Sequence, residues 1–273
     1  MTTTDPRPAT ALTVEKLSPS LGAAISGVDV RTMDDAAFAA LKEAFTQHRM
    51  LAVKHQQLEP ADMVRFAERW GEPLVHPLTP HLPDHPPVQA IENTGKKATL
   101  NEHWHTDMSF EPVPPKMTIL HALQVPSFGG DTAFADQHRA YDSLSDGMKS
   151  LLDGLGAVHS SDAFARIVGK DAQQAPHAVH PIVRTHPDTG RKALYVCRAF
   201  TTRIDGMTTT ESRGILEFLF ERSARLDFTY RHRWEQGDLV MWDNRCLLHY
   251  AIHDHGDEPR LLHRVTVKGE VPA

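Results

Sequence analysis

The feature that most constrains this chain is a series of short apolar segments whose hydrophobic residues alternate or run together before a turn signal stops them. "MTILHALQV", "HAVHPIVRTH", "KALYVC", "DLVMW" and "HRVTVKG" are rich in Val, Leu and Ile, and "PDTG" and "EQGD" punctuate them. Segments of that length and composition read as strands. Helical patterns are fewer. Residues 34–49 place Phe38, Leu41 and Phe45 on one face behind an Asp cap, and "PADMVRFAERWG" opens on Pro and closes on Gly. "SLSDGMKSLLDGL" and "TTTESRGILEFLFERSA" also read as helices. The pattern predicts a mainly antiparallel β-core with a few helices outside it, closed as a double-sheet barrel.

With 273 residues, 40% of them hydrophobic, the chain can bury the core of one large domain. We expect a single domain over residues 1–273, with a short flexible N-terminus over about residues 1–12. A formal charge of −6 argues against nucleic acid or a membrane surface as partner and leaves a small molecule. No apolar run reaches the length of a membrane span, and "MTTTDPRPAT" has no signal-peptide pattern, so the expected location is the cytoplasm. Six prolines fall within residues 72–90, too many for regular structure, which predicts a long ordered loop with a functional role.

Cys197 and Cys246 are the only cysteines, and their spacing suits neither a disulfide framework nor a zinc site. A metal site would then use histidine and carboxylate. His-x-Asp occurs at His105/Asp107, His186/Asp188 and His255/Asp257. The second lies in the hairpin signal "HPDTG" and the third in the polar loop "HGDEP", where Asp serves backbone geometry. Only His105 and Asp107 sit in an aromatic, strand-like stretch, "NEHWHTDMSF", where alternation puts both on one face. Two His and one carboxylate with open positions make the facial site of non-haem Fe(II) oxygenases. The candidate third ligand is His249 in "VMWDNRCLLHYA". Further on, alternation aligns Arg260, Leu262 and Arg264, so two guanidiniums can share one cavity and bind carboxylates or sulfonates. His103 is expected either to support a metal ligand from behind or to form the cavity wall, with Trp242 as core and "WDN" as the device fixing the turn before His249.

"WHTDMSF", "GGDTAFAD", "VRTHPDTGRKALYV", "FTTRI", "WDNRCLLHYA" and "RLLHRVTVKG", taken in order, resemble the TauD/TfdA family of Fe(II)- and 2-oxoglutarate-dependent dioxygenases, most closely its taurine dioxygenase branch. The resemblance runs from about Leu17 to Val271. It implies a double-stranded β-helix, or jelly-roll, core, and His105, Asp107 and His249 as catalytic iron ligands. It also implies that Arg260, helped by Thr132, binds the distal carboxylate of 2-oxoglutarate. The implied oxidoreductase reaction couples oxidative decarboxylation of 2-oxoglutarate with O2 to hydroxylation of a second substrate. Related halogenases lack the carboxylate at the position of Asp107, so hydroxylation is expected here.

By the same resemblance His76 and Arg264 grip a sulfonate, Asn101 serves the amine end of taurine, and Met108, Phe110 and Phe200 line the substrate pocket. Thr79 stands where taurine dioxygenase has an aromatic, Ala199 replaces a family Gly, and the lid region between "VHSSDAFARI" and "HPIVRTHP" is short. The expected substrate is a small organic anion, foremost an alkyl sulfonate cleaved to sulfite and an aldehyde, with a sulfate ester or an aryloxy or other carboxylate as alternatives. Relatives lead us to expect a homo-oligomer, a dimer or tetramer. Outside this class stand a metal-dependent hydrolase, which leaves Arg260 unexplained, and a non-catalytic metal-binding jelly roll.

Overall fold

Alternation along Pro115–Gln124 organises the molecule: Met117 and Ile119 belong to one hydrophobic cluster, Leu120 and Ala122 to another on the opposite face. The computed structural model describes residues 12–76, 79–93, 102–167, 169, 171 and 175–273. This strand lies inside an eight-stranded sheet, between Leu239–Asp243 and Arg260–Lys268. Met50–Val53, Ala23–Ser26 and Thr13–Lys16 continue the sheet on one side, while Pro73–Leu74 and Gln89–Asn93 pair with Arg260–Lys268 on the other. Within it only Ala23–Ser26 and Met50–Val53 run parallel.

The outer face, Met117, Ile119, Leu239, Met241, Val265 and Val267, packs against helices Asp35–His48 and Pro60–Glu68 through Leu41, Phe45, Met63 and Phe66. Both helices begin as their sequences predict. The Asp34 side chain accepts from the Ala37 amide, and Glu59 with Asp62 forms a capping box ahead of Pro60. On the inner face Leu120, Val240, Trp242 and Leu262 meet Phe134 and Leu247 of a second, three-stranded sheet. That sheet orders Thr229–His232, Thr132–Asp136 and Leu247–Ala251. Two facing sheets therefore enclose the space into which the inner-face residues point.

A third cluster, including Leu152, Ile182, Leu194, Ile204, Leu216 and Leu219, joins helix Thr209–Ser223 to the sheet of Thr201–Ile204, Gly156–Ser160 and His177–Pro181. The helix starts at a capping box made by Thr208 and Glu211. Two sequence expectations need correction. "HAVHPIVRTH" is not one strand: it breaks after Pro181, which has no amide hydrogen to continue a ladder, and Val183–Thr185 pairs instead with Lys192–Leu194. "NEHWHTDMSF" is not a strand either. His105 alone makes a β-bridge, and residues 107–110 form a turn in which Met108 has a left-handed φ of 47°. The expected flexible N-terminus falls almost wholly on residues 1–11, outside the described residues.

Candidate metal centre

The backbone joins the two histidines first. His249 donates its amide to the His105 carbonyl at 2.7 Å and accepts from the His105 amide at 3.0 Å. Their ring centroids stand 4.0 Å apart. Strand Leu247–Ala251 fixes His249 through its register with Phe134, and the Trp242 ring lies 4.6 Å from the imidazole. Past His105 the chain turns sharply, which returns the Asp107 carboxylate to the histidines without strand alternation. Asp107 Oδ1 is 3.9 Å from His105 Nε2 and 3.7 Å from His249 Nε2. The left-handed φ of Met108 beside it is uncommon for a non-glycine residue and costs backbone energy that surrounding packing must offset.

These three residues fit a divalent cation. All are buried, and one ligand atom from each lies within 4.8 Å of the others. Burial, the largest influence on both imidazoles, lowers their pKa values, that of His249 strongly, and leaves them neutral with lone pairs available. His105 Nδ1 is 2.8 Å from the His103 carbonyl, which places the hydrogen on Nδ1 and the lone pair on Nε2. Burial works against charge on Asp107, but the Arg264 guanidinium, ahead of the imidazoles and the Thr118 hydroxyl, holds its carboxyl well below the usual range.

Arg260, Leu262 and Arg264 share the inner face, and the cavity that holds the triad is lined also by Thr132, Arg260 and Arg264. Arg264 Nη2 stands 2.7 Å from Asp107 Oδ1, and neither that nitrogen nor Nε has an aligned hydrogen-bond acceptor. Arg260 is 4% exposed. Its Nε donates to the Gly130 carbonyl at 3.0 Å and its Nη1 to Asn93 Oδ1 at 3.1 Å, and burial draws its pKa down to about 10. Trp234 donates its indole hydrogen to Thr132 Oγ1 at 3.1 Å, so the Thr132 hydroxyl hydrogen remains to be donated into the cavity.

The remaining sequence candidates border this cavity or lie further off. Met108, Phe110 and Phe200 are buried together with Cys197 and Leu248, and the Phe200 ring stands edge-on to His105 at 6.0 Å. His76 is buried, and its Nδ1 accepts from the Thr79 amide at 3.3 Å. Its ring stands 6.3 Å from that of Phe164, which packs on the same apolar wall. Asn101 lies outside the described residues. The His103 side chain is exposed, so it lines no wall; the backbone carbonyl is what serves His105. Trp242 is core, and it also lines the cavity.

Sequence reasoning missed Asn93 and His253, which line the cavity, and Thr118 and Asn244, which are hydrogen-bonded in line behind Asp107. "WDN" is the only signal that could have found Asn244, and Asn93 has none. His186, Asp243 and Cys246 also come within 4.8 Å of one another. Both Asp243 oxygens are engaged there by Arg245, at 2.8 and 2.7 Å, and His186 Nε2 lies 3.0 Å from Oδ2. That cluster is a buried ion-pair network that ties the hairpin to the strand before His249.

A family model described as "Taurine catabolism dioxygenase TauD, TfdA family" matches residues 13–266. An alkylsulfatase of Acinetobacter baylyi is 32% identical over 99% of this chain and 89% of its own length. An alpha-ketoglutarate-dependent sulfate ester dioxygenase of Pseudomonas putida is 33% identical over 96% of this chain and 91% of its own. The crystal structure of a taurine dioxygenase from Burkholderia xenovorans superposes with a TM-score of 0.85 at 34% identity, covering 96% of this chain and 91% of that one.

Proposed function

The chain belongs to the TauD/TfdA family of 2-oxoglutarate-dependent dioxygenases, its two facing sheets forming the jelly-roll core, and from that premise we propose that it oxidises a small organosulfur monoanion, an alkyl sulfate ester or alkyl sulfonate. His105, Asp107 and His249 hold Fe(II) in this reading. Fe(II) with 2-oxoglutarate and O2 supplies the oxidising power: 2-oxoglutarate becomes succinate and CO2 as one oxygen atom enters a C–H bond of the substrate.

The observation that carries the reading is the pair of guanidiniums, Arg260 and Arg264, on one strand face beside the triad. Among the described residues no carboxylate lies within ion-pair distance of Arg260, whose Nε and Nη1 donate to the neutral carbonyl oxygens of Gly130 and Asn93. A guanidinium buried that way favours an anion, and with the Thr132 hydroxyl it offers a fork for the distal carboxylate of 2-oxoglutarate. Arg264 sits next to the cation ligands, its Nη2 held 2.7 Å from Asp107 Oδ1, while its Nε has no hydrogen-bond acceptor and is available to an oxygen of a second anion.

Charge balance favours the same assignment. A divalent cation and two guanidiniums against one carboxylate leave three positive charges, which a 2-oxoglutarate dianion and a monoanionic substrate cancel.

The apolar wall of Met108, Phe110 and Phe200 suits an alkyl chain. Thr79, which by the family resemblance stands where taurine dioxygenase has an aromatic, accepts a hydrogen bond from Gln89 Nε2. That favours a chain without the amine of taurine. Hydroxylation of the carbon bearing sulfonate or sulfate gives an adduct that collapses to an aldehyde with sulfite or sulfate. The chain's residues orient this carbon toward the metal and exclude water from the reacting atoms. The test is product analysis with alkyl sulfates, alkyl sulfonates, taurine and aryloxy acids. Sulfate or sulfite release, matched by aldehyde, supports the reading, and turnover of aryloxy acids alone contradicts it.

A further inference from the structure

One hydrogen-bond chain behind the triad has a single consistent direction. The Trp242 indole can only donate, and it donates to Asn244 Oδ1 at 2.9 Å. That fixes the Asn244 amide, so Nδ2 faces Thr118 and donates to Oγ1 at 2.9 Å. With that lone pair taken, the Thr118 hydroxyl donates its one hydrogen onward to Asp107 Oδ2 at 2.5 Å. Each member is buried, Thr118 completely. The Thr106 hydroxyl donates to the Asn244 carbonyl at 2.7 Å, which ties the metal-binding turn to the same residue.

We propose that Thr118 and Asn244 are positioning residues that leave Asp107 a single oxygen with which to bind a cation. Oδ2 is engaged by the Thr118 hydrogen bond, whereas Oδ1 faces His105 Nε2 at 3.9 Å and His249 Nε2 at 3.7 Å and meets Arg264 Nη2 at 2.7 Å without an aligned hydrogen bond. A carboxylate free to rotate would offer both oxygens and fill a position that the co-substrate or O2 needs. The indole that starts the chain also lies against His249, so one side chain braces two ligands. The inference rests on the triad being the metal site.

Co(II) binding to the anaerobic protein, followed by visible absorption, tests it without turnover. Thr118→Val keeps the shape and removes the donor. It should weaken Co(II) binding about 10- to 100-fold, the usual effect of removing a partner that orients a ligand, and should change the ligand-field spectrum. Thr118→Ser keeps the hydroxyl and should restore both. Asn244→Asp removes the amide donor and draws the Thr118 hydrogen toward position 244, so it should reproduce the loss even if Thr118→Val does not fold. A folded Thr118→Val or Asn244→Asp protein with wild-type affinity and spectrum overturns the proposal, as does a Thr118→Ser protein as impaired as the valine variant. Wild-type Co(II) binding that survives His105→Ala unchanged overturns the metal reading itself, and this inference with it.

Discussion

Arg264 and Asp107 meet at the edge of the metal site, the guanidinium nitrogen 2.7 Å from the same carboxylate oxygen that faces both histidines. The contact places the residue proposed to bind the substrate anion directly against a proposed cation ligand. In the proposed reading a substrate anion drawn to Arg264 is thereby brought beside the metal, which is the proximity that oxidation of an adjacent carbon requires.

The two arginines should separate in kinetics. Arg260→Ala removes a buried, hydrogen-bonded charge from an ionic contact, a change worth about 2–5 kcal/mol, so the KM for 2-oxoglutarate should rise roughly 30-fold or more. Arg264→Ala should instead raise the KM of the organosulfur substrate. Paired KM measurements on each variant check this, and equal effects of both substitutions on both substrates contradict the assigned roles.

Gly130 supports Arg260 from behind. Its φ of +68° is left-handed, and a Cβ there would come within 2.9 Å of Pro126 Cγ and 3.2 Å of Arg260 Cδ. Gly130→Ala should cost roughly 1–2 kcal/mol of stability for the backbone alone. It should also raise the KM for 2-oxoglutarate by displacing the guanidinium. A drop in Tm with an unchanged KM would show that Arg260 does not depend on this carbonyl for its position.

Acid should destabilise the fold through its buried neutral histidines. Burial pushes His159 down to about 3, well below an ordinary imidazole near 6.5. Below that ordinary value the unfolded chain takes up a proton that folded His159 refuses. Its stabilising contribution is therefore complete above about pH 6.5 and is lost as pH falls toward 3, by at most about 1.4 kcal/mol per pH unit. His121, His138, His180 and His263 shift in the same direction, so the whole curve should be steeper than one group explains. Urea midpoints at pH 7, 6 and 5 give the slope, and His159→Gln should reduce it by about one proton. An unchanged slope in that variant would assign the effect to other groups.

The sequence was most legible where one local rule governs. Alternation placed Arg260, Leu262 and Arg264 on one face, and caps marked Asp34 and Pro60, because strand pleat and helix ends are set by immediate neighbours. The two other His-x-Asp pairs fall in turns as expected, but Asp188 does more than shape its turn: its carboxylate pairs with Arg245 at 2.8 Å, and His186 Nε2 lies 3.0 Å from Asp243 Oδ2. The stretch carrying His105 and Asp107 was itself misread as a strand. An i, i+2 pair shares a face on a strand, but a bridge followed by a turn with a left-handed Met108 brings His105 and Asp107 together equally well, and spacing does not distinguish the two. Asn93, Thr118 and Asn244 escaped for a different reason. Their partners are far off in sequence, and only the paired strands bring Thr118 between Asn244 and Asp107.

The measurement that bears most directly on the whole account is succinate formation by the purified protein with Fe(II), ascorbate, O2 and 2-oxoglutarate, with and without an alkyl sulfate or sulfonate. The account predicts succinate that requires Fe(II), rises when the organosulfur anion is added, matches the aldehyde released, and disappears in His105→Ala and Asp107→Ala. Succinate formation that persists in both variants, or that no organosulfur anion stimulates, would contradict it.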